Sequence, residues 1–173
     1  MFVDEAGVTT AMVRTFGRAP EGRRAHGTAL AGTWRRLTVL GALGADGVAG
    51  VMTIERATDT AVFLAYLDRV LIPALVGTKP GAMVVMDNLS PHKAPEVRRR
   101  LAAAGFELIL LPRYAPELNP IEPMWSKLKG LLRAAAARTV EALEAALAAA
   151  LARITPDDAR GWFQHCGYPL PAN

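Results

Sequence analysis

The sequence predicts an α/β fold, a mixed sheet with antiparallel strands first and parallel strands after, flanked by helices. Three observations carry this. Two β-rich runs, 36–43 and 48–54, flank Gly44-Ala45-Asp46-Gly47, and Asp-Gly favours a tight turn, so they read as antiparallel neighbours. A short, uninterrupted apolar run, 82–86, and a second apolar run, 106–111, enclose a helical segment, the order that gives buried parallel strands. The rest of the chain repeats apolar residues at three and four residue spacing, as helices do.

Taken in order, the chain opens on apolar Phe2-Val3 and reaches Asp4. The glycines at 41, 44, 47 and 50 lack the lysine and following helix of a phosphate loop, which leaves the hairpin reading. Thr58 or Asp59 caps a helix running to about Leu75, with Val62, Phe63, Tyr66, Leu67, Val70 and Leu71 as its core stripe. Pro80-Gly81 breaks the chain before the strand that ends at Asp87. A loop over 88–94 leads into a basic helix over 95–104, closed by Gly105. Pro112, Pro116, Pro120 and Pro123 forbid regular structure until a helix at about 122–133. Two more helices follow: 140–154, capped by Thr139, and 156–166, with Thr155 and Asp158 as a capping box and Gly167 as terminator. One domain over 1–173 is expected, with the helices of about 139–167 packed on it.

Composition narrows the function classes. Hydrophobic residues make up 51% of the chain, enough for a real core. Lysine and arginine outnumber aspartate and glutamate by 20 to 16, a charge of +4 that favours an anionic partner without naming it. The single cysteine, Cys166, excludes a disulfide framework and a cysteine-rich zinc site. No apolar run approaches the ~18 residues of a membrane span, so a cytoplasmic protein with no membrane partner is expected.

Asp4, Asp87 and Glu122 each read as the end of an element. Carboxylates converging at the strand ends of an open sheet repel unless cations hold them, and hard oxygen donors select Mg²⁺ or Mn²⁺. Two such metals serve in-line phosphoryl displacement. Each residue also has a plainer reading: Asp87-Asn88 as an Asx turn, Glu122 as the third residue of a capping box with Asn119 as N-cap, and Asp4-Glu5 as a solvated strand end. Pro123 speaks partly against that capping box, because it biases Glu122 away from helical geometry.

FVDE over 2–5, VMDNLSPHK over 85–93 and LPRYAPELNPIEPMWSKLK over 111–129 resemble the three signature blocks of the mariner-superfamily transposases of bacterial insertion sequences. The 34 residues between Asp87 and Glu122 are the separation that superfamily uses. FGRAPEG over 16–22 and HCGY over 165–168 are weaker matches; Arg113 stands where proline is frequent, and Trp125 where phenylalanine is.

The resemblance implies a ribonuclease H-like fold and a DDE triad of Asp4, Asp87 and Glu122 holding two Mg²⁺, with Mn²⁺ as substitute. It implies cleavage and strand transfer on transposon ends and target DNA, by a bacterial protein that joins the nucleoid when acting. Asn88, His92 and Asn119 are expected to position the acids or the substrate, Asn88 by orienting Asp87 and His92 by bracing the loop or touching the scissile phosphate. Lys93, Arg113, Lys127 and Lys129 are the expected phosphate contacts. Relatives carry helix-turn-helix modules ahead of the first catalytic strand, and only three residues precede Asp4, so that strand reads as clipped and a partner segment from a neighbouring or fused frame is expected. A homodimer is possible. A ribonuclease H-like nuclease without strand transfer, and a non-catalytic remnant that binds DNA or full-length transposase, are the alternatives.

Overall fold

The computed structural model describes residues 1–29 and 31–170. Five strands form one sheet in the order β3-β2-β1-β4-β5. β1 (Phe2–Thr9) lies at its centre, antiparallel to β2 (Arg36–Gly44) and parallel to β4 (Met83–Met86). β3 (Gly47–Ile54) extends the antiparallel side through the predicted hairpin, and β5 (Glu107–Leu110) the parallel side.

The sheet departs from expectation in two places. β1 runs five residues beyond Asp4, so Asp4 sits inside a strand rather than at its end. The sequence hid this because Glu5 and Gly7 interrupt the apolar run, yet β2 pairs with every residue from Phe2 to Thr9. β4 and β5, expected to be buried on both faces, are not: Met83 is 55% exposed and Ile109 36%, and β5 forms the sheet's edge.

Two apolar layers follow from the alternation of side chains along the strands. One face carries Phe2, Ala6, Val8, Val39 and Leu43 against α4 (Ile121–Ala135), α5 (Val140–Leu151) and α6 (Pro156–His165). The other carries Val3, Leu40, Val84 and Met86 against α1 (Thr60–Tyr66), α2 (Ile72–Leu75) and α3 (Pro95–Ala103). Met124, Trp125, Leu128 and Leu132 form the buried stripe of α4, each contributing about 1.5–3 kcal/mol by leaving water. Asp59 caps α1 by accepting from the Val62 N–H at 2.8 Å, and Thr155 with Asp158 forms the capping box of α6.

Between α1 and α2 the backbone widens into a π-helical turn, Leu67–Leu71, that the periodicity does not show. Pro73 lies just beyond it; it has no N–H for the Arg69 carbonyl and its ring crowds that carbonyl, which the wider turn relieves. A bulge sits opposite on β3, where register shifts between Leu40 and Ala42 so that Gly50 and Val51 face the single residue Gly41. Gly50 has φ +57 there, a Cβ on it would meet the Leu71 backbone at 3.5 Å, and its carbonyl accepts from the buried Tyr66 hydroxyl at 2.7 Å.

Gly50→Ala is therefore expected to destabilise the fold by about 1–2 kcal/mol. Gly130→Ala, on an open side of α4 where an added Cβ meets nothing, is expected to stabilise it by about 0.5–1 kcal/mol. Urea unfolding of the two variants beside wild type measures both signs.

Candidate active site

Asp4 and Asp87 reach the same end of the sheet because β1 and β4 run parallel, with Val3 beside Met86, the residue before Asp87. Past Asp87 the chain turns sharply. The Leu89 N–H donates to Asp87 Oδ1 at 2.9 Å, closing an Asx turn, and a 3-10 turn, Pro91–Lys93, brings His92 back beneath it. The plainer reading of Asp87, an Asx turn, is therefore observed. The Leu111 N–H donates to the Met86 carbonyl at 2.8 Å, and the Asn88 amide donates to the Leu111 carbonyl. Asn88 therefore ties the ends of β4 and β5 together instead of contacting Asp87, a correction to its expected role; its short side chain reaches the neighbouring strand's carbonyl first.

Glu122 arrives on the first turn of α4, where the positive helix end favours a carboxylate. The capping-box reading fails: Pro120 is the N-cap, no side chain caps the helix, and Asn119 contributes its backbone carbonyl, which accepts from the Glu122 N–H at 3.1 Å. Pro123 does not expel Glu122 from the helix, since proline fits a first turn whose N–H groups lack intrahelical partners. Asn119 is 4% exposed and its Oδ1 has no hydrogen-bond partner.

His92 is fully buried, its ring tilted against Phe63 at 4.4 Å between centroids, with Nδ1 2.6 Å from Asp87 Oδ1 and Nε2 3.2 Å from Glu5 Oε2. Both partners are acceptors, so only the imidazolium, a donor at each nitrogen, satisfies both contacts. Burial opposes that charge, but the Asp87 and Glu5 carboxylates outweigh it and push the imidazole up to about 9. Burial likewise works against ionised Asp87, yet His92, the Leu89 N–H and Lys93 hold its carboxyl below the usual range. Of the two expectations for His92, bracing is what this geometry provides.

Asp4 is the opposite case. It is 7% exposed, and burial, joined by the negative charges of Glu122, Asp87 and Glu5, pushes its carboxyl up to about 7 against the pull of the Glu5 N–H. That N–H donates to Oδ1 at 2.8 Å, and the indole N–H of Trp125 donates to Oδ2 at 3.2 Å. The sequence offered no contact for Trp125 and read Glu5 only as part of a solvated strand end. Alternation along β1 was the available signal, since adjacent acids in a central strand must serve opposite faces.

An open cleft of about 470 Å³ lies over this end of the sheet, with Asp87, Glu122 and Asn119 in its wall beside the exposed cations Lys93 and Arg113. Asp4 lies behind that lining. Tyr114, which sequence reasoning passed over, borders the cleft with its side chain 98% exposed and its backbone left-handed at φ 58. Lys129 is half-buried and outside the cleft lining, and the Lys127 ammonium is engaged by Asp158 of α6, so α4 turns that cation toward its neighbouring helix.

The donors suit a hard divalent cation: Asp4, Asp87 and Glu122 offer only carboxylate oxygens, and a positive ion would offset the repulsion that burdens Asp4. Among the described residues, as they are placed here, no group of three or more His, Cys, Asp or Glu stands ready to hold a metal ion.

The profile of the family described as DDE superfamily endonuclease matches residues 1–144. The chain belongs to this family. Solved structures agree on the fold. A Mos1 transposase paired-end complex with left transposon end aligns at TM-score 0.77 and 19% identity, over 95% of this chain and 51% of that one. A Mos1 mariner paired-end complex with Mn aligns at 0.72 and 20%, over 95% and 52%. The catalytic domain of Mos1 mariner transposase aligns at 0.63 and 17%, over 95% and 76%. The chain thus spans about half the length of the Mos1 chains in those complexes, and its DDE domain has their ribonuclease H-like sheet. No curated protein matches it. Among the described residues no helix is long and apolar enough to cross a membrane.

His92→Ala leaves two carboxylates without their shared cation and opens a buried void, so it is expected to cost roughly 3 kcal/mol. Lys93→Ala, one residue on and exposed, should stay within about 0.5 kcal/mol of wild type. Denaturant midpoints of the pair separate a brace from an ordinary loop residue.

Proposed function

We propose that this chain is the catalytic domain of a transposase that cuts and rejoins DNA, with Asp4, Asp87 and Glu122 as ligands of two divalent ions, Mg²⁺ or Mn²⁺ in its place. One observation carries the reading: acids from β1, the end of β4 and the first turn of α4 act on one another at a single end of the sheet, beside an open cleft that also presents cations.

Bound there, two such ions would activate an attacking oxygen and stabilise a leaving one in an in-line displacement. The chain's own residues do the rest. Asp87 and Glu122 would hold the ions from the cleft wall, with Asp4 as the third ligand outside that lining. His92 holds Asp87 in place from beneath and lets it stay ionised. Lys93 and Arg113 engage phosphates on either side of the scissile one, which positions DNA without reading its sequence.

In the first reaction water attacks phosphorus at a transposon end, the phosphorus bond to the 3′ oxygen breaks, and that oxygen departs as a 3′-hydroxyl. In the second, this hydroxyl attacks a target phosphodiester, so no covalent protein intermediate is needed. Recognition of the element's ends is assigned to a helix-turn-helix segment outside these residues, a division supported by the chain's coverage of about half of the Mos1 chains.

With a duplex carrying the element's ends, Mg²⁺ or Mn²⁺ should support nicking that EDTA stops, and Asp87→Ala or Glu122→Ala should lower the rate at least about a hundredfold. Joined-strand products distinguish a transposase from a nuclease that only cuts. Cleavage that persists in both variants would refute the assignment.

Arg113→Ala is expected to weaken duplex binding and reduce the slope of log affinity against log salt by about one. Lys127→Ala should leave that slope unchanged, because Asp158 already engages its ammonium. Fluorescence anisotropy at several salt concentrations reads both.

A further inference from the structure

Asp4 and Gly41 are direct partners in the β1–β2 ladder, and both lie on the face covered by α4. Trp125 of α4 fills the space above them. It is 2% exposed, its Nε1 stands 3.2 Å from Asp4 Oδ2, and its Cη2 lies 3.0 Å from the position a Cβ on Gly41 would take. Carbon atoms pack best at about 3.5–4.0 Å, so an alanine at 41 would have to push the indole away. Gly41 also faces the β3 bulge, which bends the sheet at this point.

A buried indole N–H requires an acceptor, and here the acceptor is a proposed metal ligand. With the Glu5 N–H on Oδ1, each Asp4 oxygen receives one N–H and keeps a lone pair for a cation. The carboxylate is thereby fixed in rotation with both oxygens still able to coordinate.

We propose that Trp125 is the positioning residue for Asp4, orienting it for metal through the indole N–H, and that Gly41 is the clearance that lets the indole reach it. This rests on the metal-binding reading of Asp4 given above. Partners that orient a metal ligand are commonly worth about 10- to 100-fold in affinity. A tryptophan serving only as core would lose packing when changed, and would leave metal affinity alone.

The test is Mn²⁺ binding by calorimetry on the full chain, comparing wild type, Trp125→Phe, Gly41→Ala, the double variant and Asp87→Ala, each with its thermal midpoint. Phenylalanine keeps an aromatic ring and removes the donor. Trp125→Phe is expected to bind Mn²⁺ about tenfold more weakly while remaining folded. Gly41→Ala is expected to lose a similar factor, and the double variant to be no weaker than Trp125→Phe alone, since the glycine acts through the indole. Affinity within about twofold of wild type in folded Trp125→Phe overturns the proposal, as does a Gly41→Ala loss that adds in full to the double variant. Should Trp125→Phe not fold, wild-type affinity in Gly41→Ala overturns it. Wild type binding no better than Asp87→Ala instead removes the metal reading of the whole site, and the inference with it.

Discussion

Carboxylates gathered at one end of a buried sheet repel one another, and much of the structure around the cleft offsets that repulsion. Asp4, Glu5 and Asp87 come together because β4 ends at Met86 beside Val3 of the parallel β1, and Glu122 joins them from the first turn of α4. The chain supplies one buried counter-charge, His92, and spends it on Asp87 and Glu5. Asp4 receives only neutral N–H donors and bears the remaining electrostatic load. The imbalance between the two aspartates has a chemical sense: the group left without a cation of its own is where an external cation gains most.

The scaffold serves this arrangement on both faces of the sheet. Below, Phe63 packs against the imidazole, and α1 continues into the π-helical turn that faces the β3 bulge. Above, α4 presses its tryptophan onto the strand pair and brings Glu122 on its first turn. A helix-borne acid and a helix-borne indole three residues apart lie on neighbouring positions of one helix, so a shift of α4 would move both together. The contacts of α5 and α6 with α4, including the ion pair from Asp158 to Lys127, hold that helix against the sheet. Helices distant from the chemistry therefore help set the geometry of the acids.

Much of the fold was legible in the sequence. The hairpin over Gly44–Gly47, the short strand before Asp87, the capping box at Thr155 and the terminators Gly105 and Gly167 are local features, set by backbone freedom and hydrogen bonds within a few residues. What was misread depended on neighbours. The extent of β1 was hidden because its polar residues are compensated by pairing with β2, and the exposure of β5 because edge position belongs to the sheet, not to the strand. The partners of Asn88 and Lys127 went the same way: polar side chains take an acceptor or donor close in space, and sequence distance does not show which that is.

By itself the sequence determined the element types, their order and the three acids with their fixed separation, because periodicity, turn chemistry and residue identity are properties of short segments. Only the tertiary structure decided that Glu5 and Asp4, adjacent in one strand, serve different faces, one joining His92 and the other Trp125. It alone set Gly41 opposite Asp4 and under an indole from a helix more than eighty residues on. The physical reason is that burial, charge balance and close approach are relations between segments, and they exist only once the sheet has closed and the helices have packed across it.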